Sequence, residues 1–530
     1  MPMPYENLAV RLVESALQHD DRADRVAVRQ GAREVTYREL ADQVARVSTG
    51  LRSVGIERGE RVAVLMRDSV EAVFSILGIV HMGAVAVPLS ELARPLDIRA
   101  YLLHCGATAA ITEPELEPVI DEIRTEVDSL RQIICVGEVD SAGVHEFGQL
   151  IADAVPASTA AAVKSSQTAL ILYSVMGAES AVRGVPHAHG TPLAAYSSFA
   201  RGVIGLDADD RVFASARLST IYGLGAGLFF PLMAGAETLL LPEQPHSAAI
   251  FAALESFDPT IFLATPSVYG QLARDAEDQG REKPLSRCRA CISGAEGMPP
   301  KLVPRIRDTL GAGVTVGYGL TEAFQFVFAG TAGEGPLGNV GRPVPGFEAR
   351  IVDGQGAPMG PDAIGILQIR GPTVLSSYWG EKATADQFDG EWFTTRDRFM
   401  MDEHGYYYHC GRVDDLFKVG GKWVSPIEVE RALLAREEVW DCAVIGADDE
   451  DGLIKPFAFV VPNIGHSPSE QLEMKLRESV KTQLAPYKYP RWFEFRDKLP
   501  RGPGGKLLRY KLRPTVGPRR AETAADSERD

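Results

Sequence analysis

Two short segments place residue types that handle phosphate. "YGLTE", Tyr318 to Glu322, follows the strand-like run "GVTVG". The Thr321 hydroxyl can hydrogen-bond a phosphate oxygen, and the Glu322 carboxylate can hold a magnesium ion that bridges phosphates. A turn that only packs the strand end would read the same way. "GPGGK" sets Lys506 on a glycine-rich loop, flexible enough to carry an ammonium to developing negative charge. A solvated surface lysine is the commoner fate of one Gly-Lys pair. In "CISGAEG", the small residues beside Glu296, Gly294 and Ala295, let a flat ring lie close to a strand-end backbone.

Other chemistries are missing from the chain. There is no G-x-x-x-x-G-K-[ST] loop, no G-x-S-x-G elbow and no H-E-x-x-H pair. His187 and His189 in "PHAHG" lack further ligands, and the Cys288/Cys291 C-x-x-C lacks a second pair, so neither reads as a metal site. Six cysteines in 530 residues are not a disulfide framework. The net charge of −16 argues against a nucleic-acid partner, whose phosphates need Lys/Arg contacts. The N-terminus shows no secretion signal. The most apolar stretch, Val70 to Leu89, is broken by Glu71, His81 and Gly83. It reads as a core helix to Met82, a glycine stop and a buried strand from Ala84. A soluble cytoplasmic protein with no membrane partner is expected.

The elements that must position these residues alternate. Tyr37 to Val54 has helical periodicity and stops at Gly55; "RVAVLM", "GAVAVPL", "AAIT" and "QIICVG" are short apolar runs between helical segments. "TALILYS", "RVFASA", "AETLLLP", "PTIFLATP" and "RACISGAE" continue the pattern, which indicates βαβ units and largely parallel sheet. From about 338 to 410 the runs "FEARIVD", "GILQIRG" and "GYYYHCGR" suggest an antiparallel or barrel-like piece. After Arg412 come a helix with Ser425 as N-cap and Pro426 in its first turn, two strands around an acidic turn, and an amphipathic helix. That is a separate unit of about 110 residues.

Four segments, in order, resemble the adenylate-forming superfamily of acyl-CoA synthetases, aryl-CoA ligases, peptide-synthetase adenylation domains and luciferases. They are "YGLTE", "WFTTRD", "GRVDDLFKVGGKWVSPIEVE" and "LPRGPGGKLLR". "GRPVPGFEARIVD", "KVGGKWVSPIEVE" and "DEDGLIKPFAFVV" look most like benzoate and hydroxybenzoate CoA ligases. The resemblance implies an α/β fold. Residues 1–411 form a large N-terminal AMP-binding domain of two parallel-sheet lobes plus a small β-barrel. A hinge at 412–414 includes Asp414, a mobile α+β domain spans 415–513, and 514–530 is a disordered tail.

It also implies ATP, Mg2+ and CoA as cofactors and a small aromatic acid as substrate, activated as acyl-AMP with release of pyrophosphate and then passed to CoA. Catalysis falls to Lys506, Thr321 and Glu322, with Glu322 on the metal. Nucleotide contacts fall to Gly294, Ala295, Glu296, Tyr318, Gly319, Asp397, Arg412, Arg183 and Ser174, with Asp397 and Arg412 on the ribose. The acid pocket is Tyr222, Gly223, Ala323, Phe324, Gln325 and Phe326. Phe324 and Phe326, alternating on one strand face, either wall an aromatic ring or are core, and Gln325 can read a polar substituent. Gly420, Gly421 and Trp423 would pass the thiol. A homodimer is compatible with this reading.

The chain departs from the family at two places. The phosphate loop, Tyr173 to Gly190, reads "YSVMGAESAVRGVPHAHG". It holds few donors, carries Glu179, and has Arg183 where lysine is expected. Arg396 replaces the glycine usual before Asp397. The loop is either drifted in a working ligase or reshaped. The second case covers an aryl diazotase using nitrite, an amide-forming ligase or a non-catalytic nucleotide-binding homologue. An enzyme that loads a carrier protein instead of CoA is a further alternative.

Overall fold

The computed structural model describes residues 6–18, 20–156, 159–173, 182–382, 387–420, 422–449, 452–501 and 507–512. Ser174 and the rest of the phosphate loop to 181, Gly421, Lys506 and the tail 514–530 lie outside the described residues, as do the side chains of Asp414 and Trp423.

The apolar runs form two large sheets. One has seven strands, ordered Val144–Glu146, Gln132–Cys135, Ala107–Thr112, Arg61–Leu65, Val85–Leu89, Thr168–Tyr173 and Gly184–Ala188. All its pairs are parallel except the last hairpin, which flanks the phosphate loop. The other has nine strands, with Val314–Leu320, Ala290–Ser293, Ile261–Ala264, Arg211–Ala214, Glu237–Leu240 and Val26–Gln30 parallel in the middle and antiparallel strands at both edges. Every residue of Ala107–Thr112, Val85–Leu89 and Ile261–Ala264 is buried, as expected of parallel strands covered on both faces.

Helix ends follow local chemistry. Thr36 and Glu39 form a capping box at Tyr37–Ser53, and Ser69 accepts from Ala72 N at 3.1 Å to start Val70–His81. Thr265 caps Pro266–Asp278, with proline in the first turn. Gly55 and Gly83 take φ of +82° and +81° just beyond the first two helices. Val70–His81 is buried at nearly every position because it fills the core between elements.

The antiparallel piece contains Glu348–Val352, Gly365–Arg370, Trp392–Met401, Phe388–Asp389 and Tyr407–Arg412. Trp392–Met401 is its hub, pairing with Gly365–Arg370, Phe388–Asp389 and Tyr407–Arg412. After a single turn of 3-10 helix at Val413–Asp415 come the hairpin Phe417–Val419/Lys422–Val424 and the helix Pro426–Leu434. The sheet Val439–Asp448, Ile454–Pro462 and Trp492–Phe495, and the helix Glu470–Lys481, complete this unit, which has its own apolar core. Ser425 occupies the N-cap position but makes no cap bond. Its hydroxyl donates to Cys410 O at 2.7 Å, tying the helix to the preceding sheet.

His187 and His189, on and just after Gly184–Ala188, are packing residues. His187 lies edge-on to Phe324 with centroids 4.9 Å apart, and His189 Nδ1 accepts from Leu8 N at 3.1 Å. Both Nε2 atoms are sealed without partners. Burial pushes His187 down to about 3; burial and the nearby Arg58 bring His189 to about 4. Both values lie below the ordinary 6.5, so the unfolded chain takes up these protons first. Stability present at neutral pH is therefore lost as pH falls below about 6.5, by about 1 kcal/mol per histidine at pH 5.5. Denaturant titrations between pH 7.5 and 5.5 should show His187→Phe losing less stability than the parent chain over that range. Equal losses would contradict a buried neutral His187.

Candidate active site

The described residues expected to meet nucleotide converge at the ends of the strands. Asp397 on Trp392–Met401 sits opposite Arg412 on Tyr407–Arg412 in strand register. The Tyr318 hydroxyl donates to Asp397 Oδ2 at 2.8 Å, His409 Nε2 lies 3.1 Å from Oδ1, and Arg412 Nη1 is 4.0 Å away. Burial raises this carboxyl, but hydrogen bonding and charge from His409, charge from Arg412 and the Tyr318 hydroxyl outweigh it and bring Asp397 to about 2. The result is a fixed carboxylate, suited to accepting two neighbouring hydroxyls. Arg396 is exposed, as strand alternation requires of the residue before Asp397. Sequence reasoning missed His409. A register shift between Arg398 and Phe399 brings it to Asp397, and its one signal was a polar residue following three tyrosines.

Thr321 and Glu322 occupy the short 3-10 turn Thr321–Ala323 after Val314–Leu320. Gly319 is required there, since a Cβ would run into the Gln325 backbone of the returning strand. Burial raises the Glu322 carboxyl, which accepts a hydrogen bond from the Tyr378 hydroxyl at 3.0 Å. The Arg183 guanidinium lies 5.0 Å over the Tyr378 ring and 3.9 Å from Glu381. Trp379 N donates to Gly184 O at 2.8 Å, fixing this connection against the end of the phosphate loop. Arg183, Tyr378 and Glu322 thus form one chain of contacts. Tyr378 was not singled out from sequence, because it comes from a loop 56 residues beyond Glu322.

The turn after Ala290–Ser293 has Ala295 exposed at φ +70°, while Gly294 is buried. The room left by Gly294 is taken by a side chain: a Cβ there would come 2.7 Å from the Phe326 ring. The open backbone for a flat base is at Ala295 and Gly297. Glu296 accepts from the Ser267 hydroxyl at 2.6 Å and lies 3.4 Å from Arg501 Nη1. Arg501 also donates to Asp441 at 2.8 Å. Arg501 and Leu507 pair across the base of the loop that carries Lys506, and Leu508 N donates to Pro500 O at 2.9 Å. Arg509 holds both oxygens of the buried Glu430 at 2.6 Å. The loop base is therefore pinned in its own unit and docked by Arg501 onto the Glu296 turn. Close by, Trp440 lies 3.4 Å under Arg274 and 5.3 Å from Arg305, over Gly270.

The expected acid pocket is partly core. Tyr222 is buried and its hydroxyl donates to Ile292 O at 3.2 Å. Gly223 has no space for a Cβ against the Arg217 backbone. Ala323 is buried. Phe324 and Phe326 do not share a face, because Phe324 has φ +47° and Gln325 φ +100°, which breaks the alternation where the strand Gln325–Ala329 starts. Phe324 points into the core among His187, Phe229 and Phe230. Phe326 stacks near Phe199 at 4.3 Å and edge-on to Tyr222 at 5.7 Å. Gly420, at φ +55° in the hairpin turn, has no atom of the described residues within reach of an added Cβ.

Residues 16–379 match the AMP-binding enzyme family and residues 428–506 match its C-terminal domain. The chain belongs to the AMP-binding enzymes. It is 37% identical over 481 residues to a benzoate–CoA ligase of Thauera aromatica, covering 90% of each chain. It is 34% identical to a 4-hydroxybenzoate–CoA/benzoate–CoA ligase of Rhodopseudomonas palustris, covering 100% of this chain and 98% of the relative. Among solved structures it resembles an anthranilate CoA ligase in complex with anthranoyl-AMP, with TM-score 0.89, 33% identity and coverage of 96% and 97%. No helix among the described residues is long and apolar enough to cross a membrane.

Beyond the connection itself, where Ser425 and Arg431 of this AMP-binding enzyme donate to Cys410 O and His409 O, Arg501 and Trp440 carry docking contacts that are partly exposed. Two arginine–tryptophan contacts and one partly exposed ion pair together hold about 2 kcal/mol. In an Arg501→Ala/Trp440→Ala variant, trypsin cleavage in the 412–418 connection should be about thirtyfold faster. An unchanged cleavage rate would mean that these contacts do not hold the two units together.

Proposed function

We propose that the protein activates a small aromatic carboxylic acid with ATP, forming acyl-AMP and pyrophosphate, and then transfers the acyl group to CoA. The observation that carries this reading is the docking of the Lys506 loop base onto the Glu296 turn through Arg501, beside the Asp397 cluster. In the first step the acid carboxylate attacks the α-phosphorus and pyrophosphate leaves. The negative charge that builds on the phosphoryl oxygens is met by Lys506, with the Thr321 hydroxyl as a further donor. Asp397 accepts from the ribose hydroxyls and Arg412 donates from the facing strand. Ala295, with Glu296 and Gly297, lies along the base.

Glu322 fits a magnesium site: it is a partly buried carboxylate with one side-chain donor among the described residues, and a divalent cation would hold it ionised and neutralise phosphate charge. Arg183, held by Tyr378 and Glu381, stands in for the lysine expected in the phosphate loop.

For the second step, the 3-10 turn at Val413–Asp415 supports a hinge at 412–414 between residues 1–411 and 415–513. Rotation there withdraws the Lys506 loop and brings the Gly420 turn, with Gly421 and Trp423, toward the acyl-AMP. The thiol sulfur attacks the acyl carbon and AMP leaves. A pantetheine thiol on a carrier protein would use the same passage.

Lys506→Ala tests the assignment of the first step. Acid-dependent ATP–pyrophosphate exchange should fall by about a hundredfold or more, while AMP affinity stays within about threefold, because the ammonium acts on charge present only in the transition state. Exchange at the wild-type rate would remove Lys506 from the mechanism.

A further inference from the structure

Gln325 sits at the most constrained point of the acid pocket. It and Phe324 have φ of +100° and +47°, two successive non-glycine residues in a region that side chains avoid. Such strain persists where the surroundings over-determine it, and it concentrates at ligand sites. What the strain achieves here is the placement of the Gln325 amide. Its Nε2 donates to Ile221 O and, at 3.2 Å, to Tyr222 O, at the start of the helical segment that follows Tyr222. Gly225 makes this possible: a Cβ there would come 2.9 Å from Gln325 Cγ and 3.0 Å from Cδ. The two main-chain carbonyls fix which end of the amide is nitrogen, since an oxygen there would face two acceptors.

With both N–H groups directed at main chain, the polar capacity left on the side chain is Oε1, an acceptor. Among the described residues nothing donates to it. Unlike Ser293 Oγ and His187 Nε2, it is not sealed from solvent. The neighbouring walls are apolar or already committed. Tyr222 spends its hydroxyl on Ile292 O, and Phe326 closes the side toward Gly294. An aromatic acid placed against Tyr222 and Phe326, whose rings meet edge-on at 5.7 Å, would therefore meet one uncommitted hydrogen-bonding atom on Gln325, and it accepts only.

We propose, resting on the aromatic-acid reading above, that Gln325 Oε1 selects aromatic acids whose ring carries a hydrogen-bond donor, a hydroxyl or an amino group. Acids bearing methyl, fluoro, methoxy or nitro groups at the same position are disfavoured. A donor satisfies Oε1. An apolar group leaves it buried and unpaired, and an acceptor-only group sets lone pair against lone pair. Sites built to hydrogen-bond a ligand group discriminate strongly against analogues that lack it.

The test is calorimetric binding of matched benzoic acids to the full chain, each ring position in turn carrying hydroxyl, amino, methyl, fluoro or methoxy. At one ring position the hydroxy or amino acid should bind at least about tenfold more tightly than its methyl and fluoro counterparts, and methoxy should bind no better than methyl. In Gln325→Met that ratio should fall to within about twofold. Wild-type protein that binds donor-bearing and apolar acids equally at every position overturns the proposal, whether or not the variant folds. So does a Met variant that keeps the ratio. If no benzoic acid binds while other carboxylic acids do, the aromatic-acid reading itself fails and this inference falls with it; equal binding within the benzoates removes the inference alone.

Discussion

Arg501 joins two folding units across a gap that neither closes alone. On one side it donates to Asp441 in the C-terminal sheet, and on the other it faces the carboxylate of Glu296 on a strand-end turn of the nine-stranded sheet. The proposed adenylation chemistry brings the Lys506 ammonium of one unit to a nucleotide held by the other. The loop that carries Lys506 starts one residue after Arg501 and ends at its bridge partner Leu507. Fixing Arg501 therefore fixes the loop's point of departure. The pair is partly exposed and shares the interface with a tryptophan stacked on two arginines, so it holds the docked arrangement without making it permanent. A two-step reaction with a rotating domain needs an interface of that modest strength.

The proposed nucleotide side is organised around a largely buried carboxylate. Asp397 is held by three groups from two places in the chain: Tyr318 before the short turn, and His409 and Arg412 on the facing strand. Those groups more than offset the burial that would otherwise favour its protonated form. The phosphate side has a second chain of contacts, Arg183 over Tyr378 and Tyr378 on Glu322. This links Arg183 of the unusual phosphate loop to the carboxylate proposed for magnesium. A loop poor in glycine and hydroxyl groups leaves more of the phosphate binding to such flanking side chains.

The strands were legible in the sequence because parallel sheet covered on both faces demands uninterrupted apolar runs, and glycines marked where helices stopped. Tyr318, Glu322, Asp397 and Arg412 were legible because their motifs occur in order and at family-like separations. What could not be read was set by geometry between segments. His409 reaches Asp397 through a register shift in the ladder, which residue types do not encode. Tyr378 reaches Glu322 from a loop remote in sequence. Phe324 and Phe326 have the spacing of one strand face, yet two successive positive φ angles send Phe324 into the core and leave Phe326 against Gly294. Gly294 therefore serves a phenylalanine ring, where the sequence suggested space for a base.

The most direct test of the central claim is product analysis by mass spectrometry after incubation with ATP, magnesium, CoA and a panel of substituted benzoic acids. The account predicts an aroyl-CoA and AMP in equal amounts, with pyrophosphate and no ADP, and an aroyl-AMP when CoA is left out. ATP turnover that gives ADP, or AMP formation that does not depend on the acid, would contradict it.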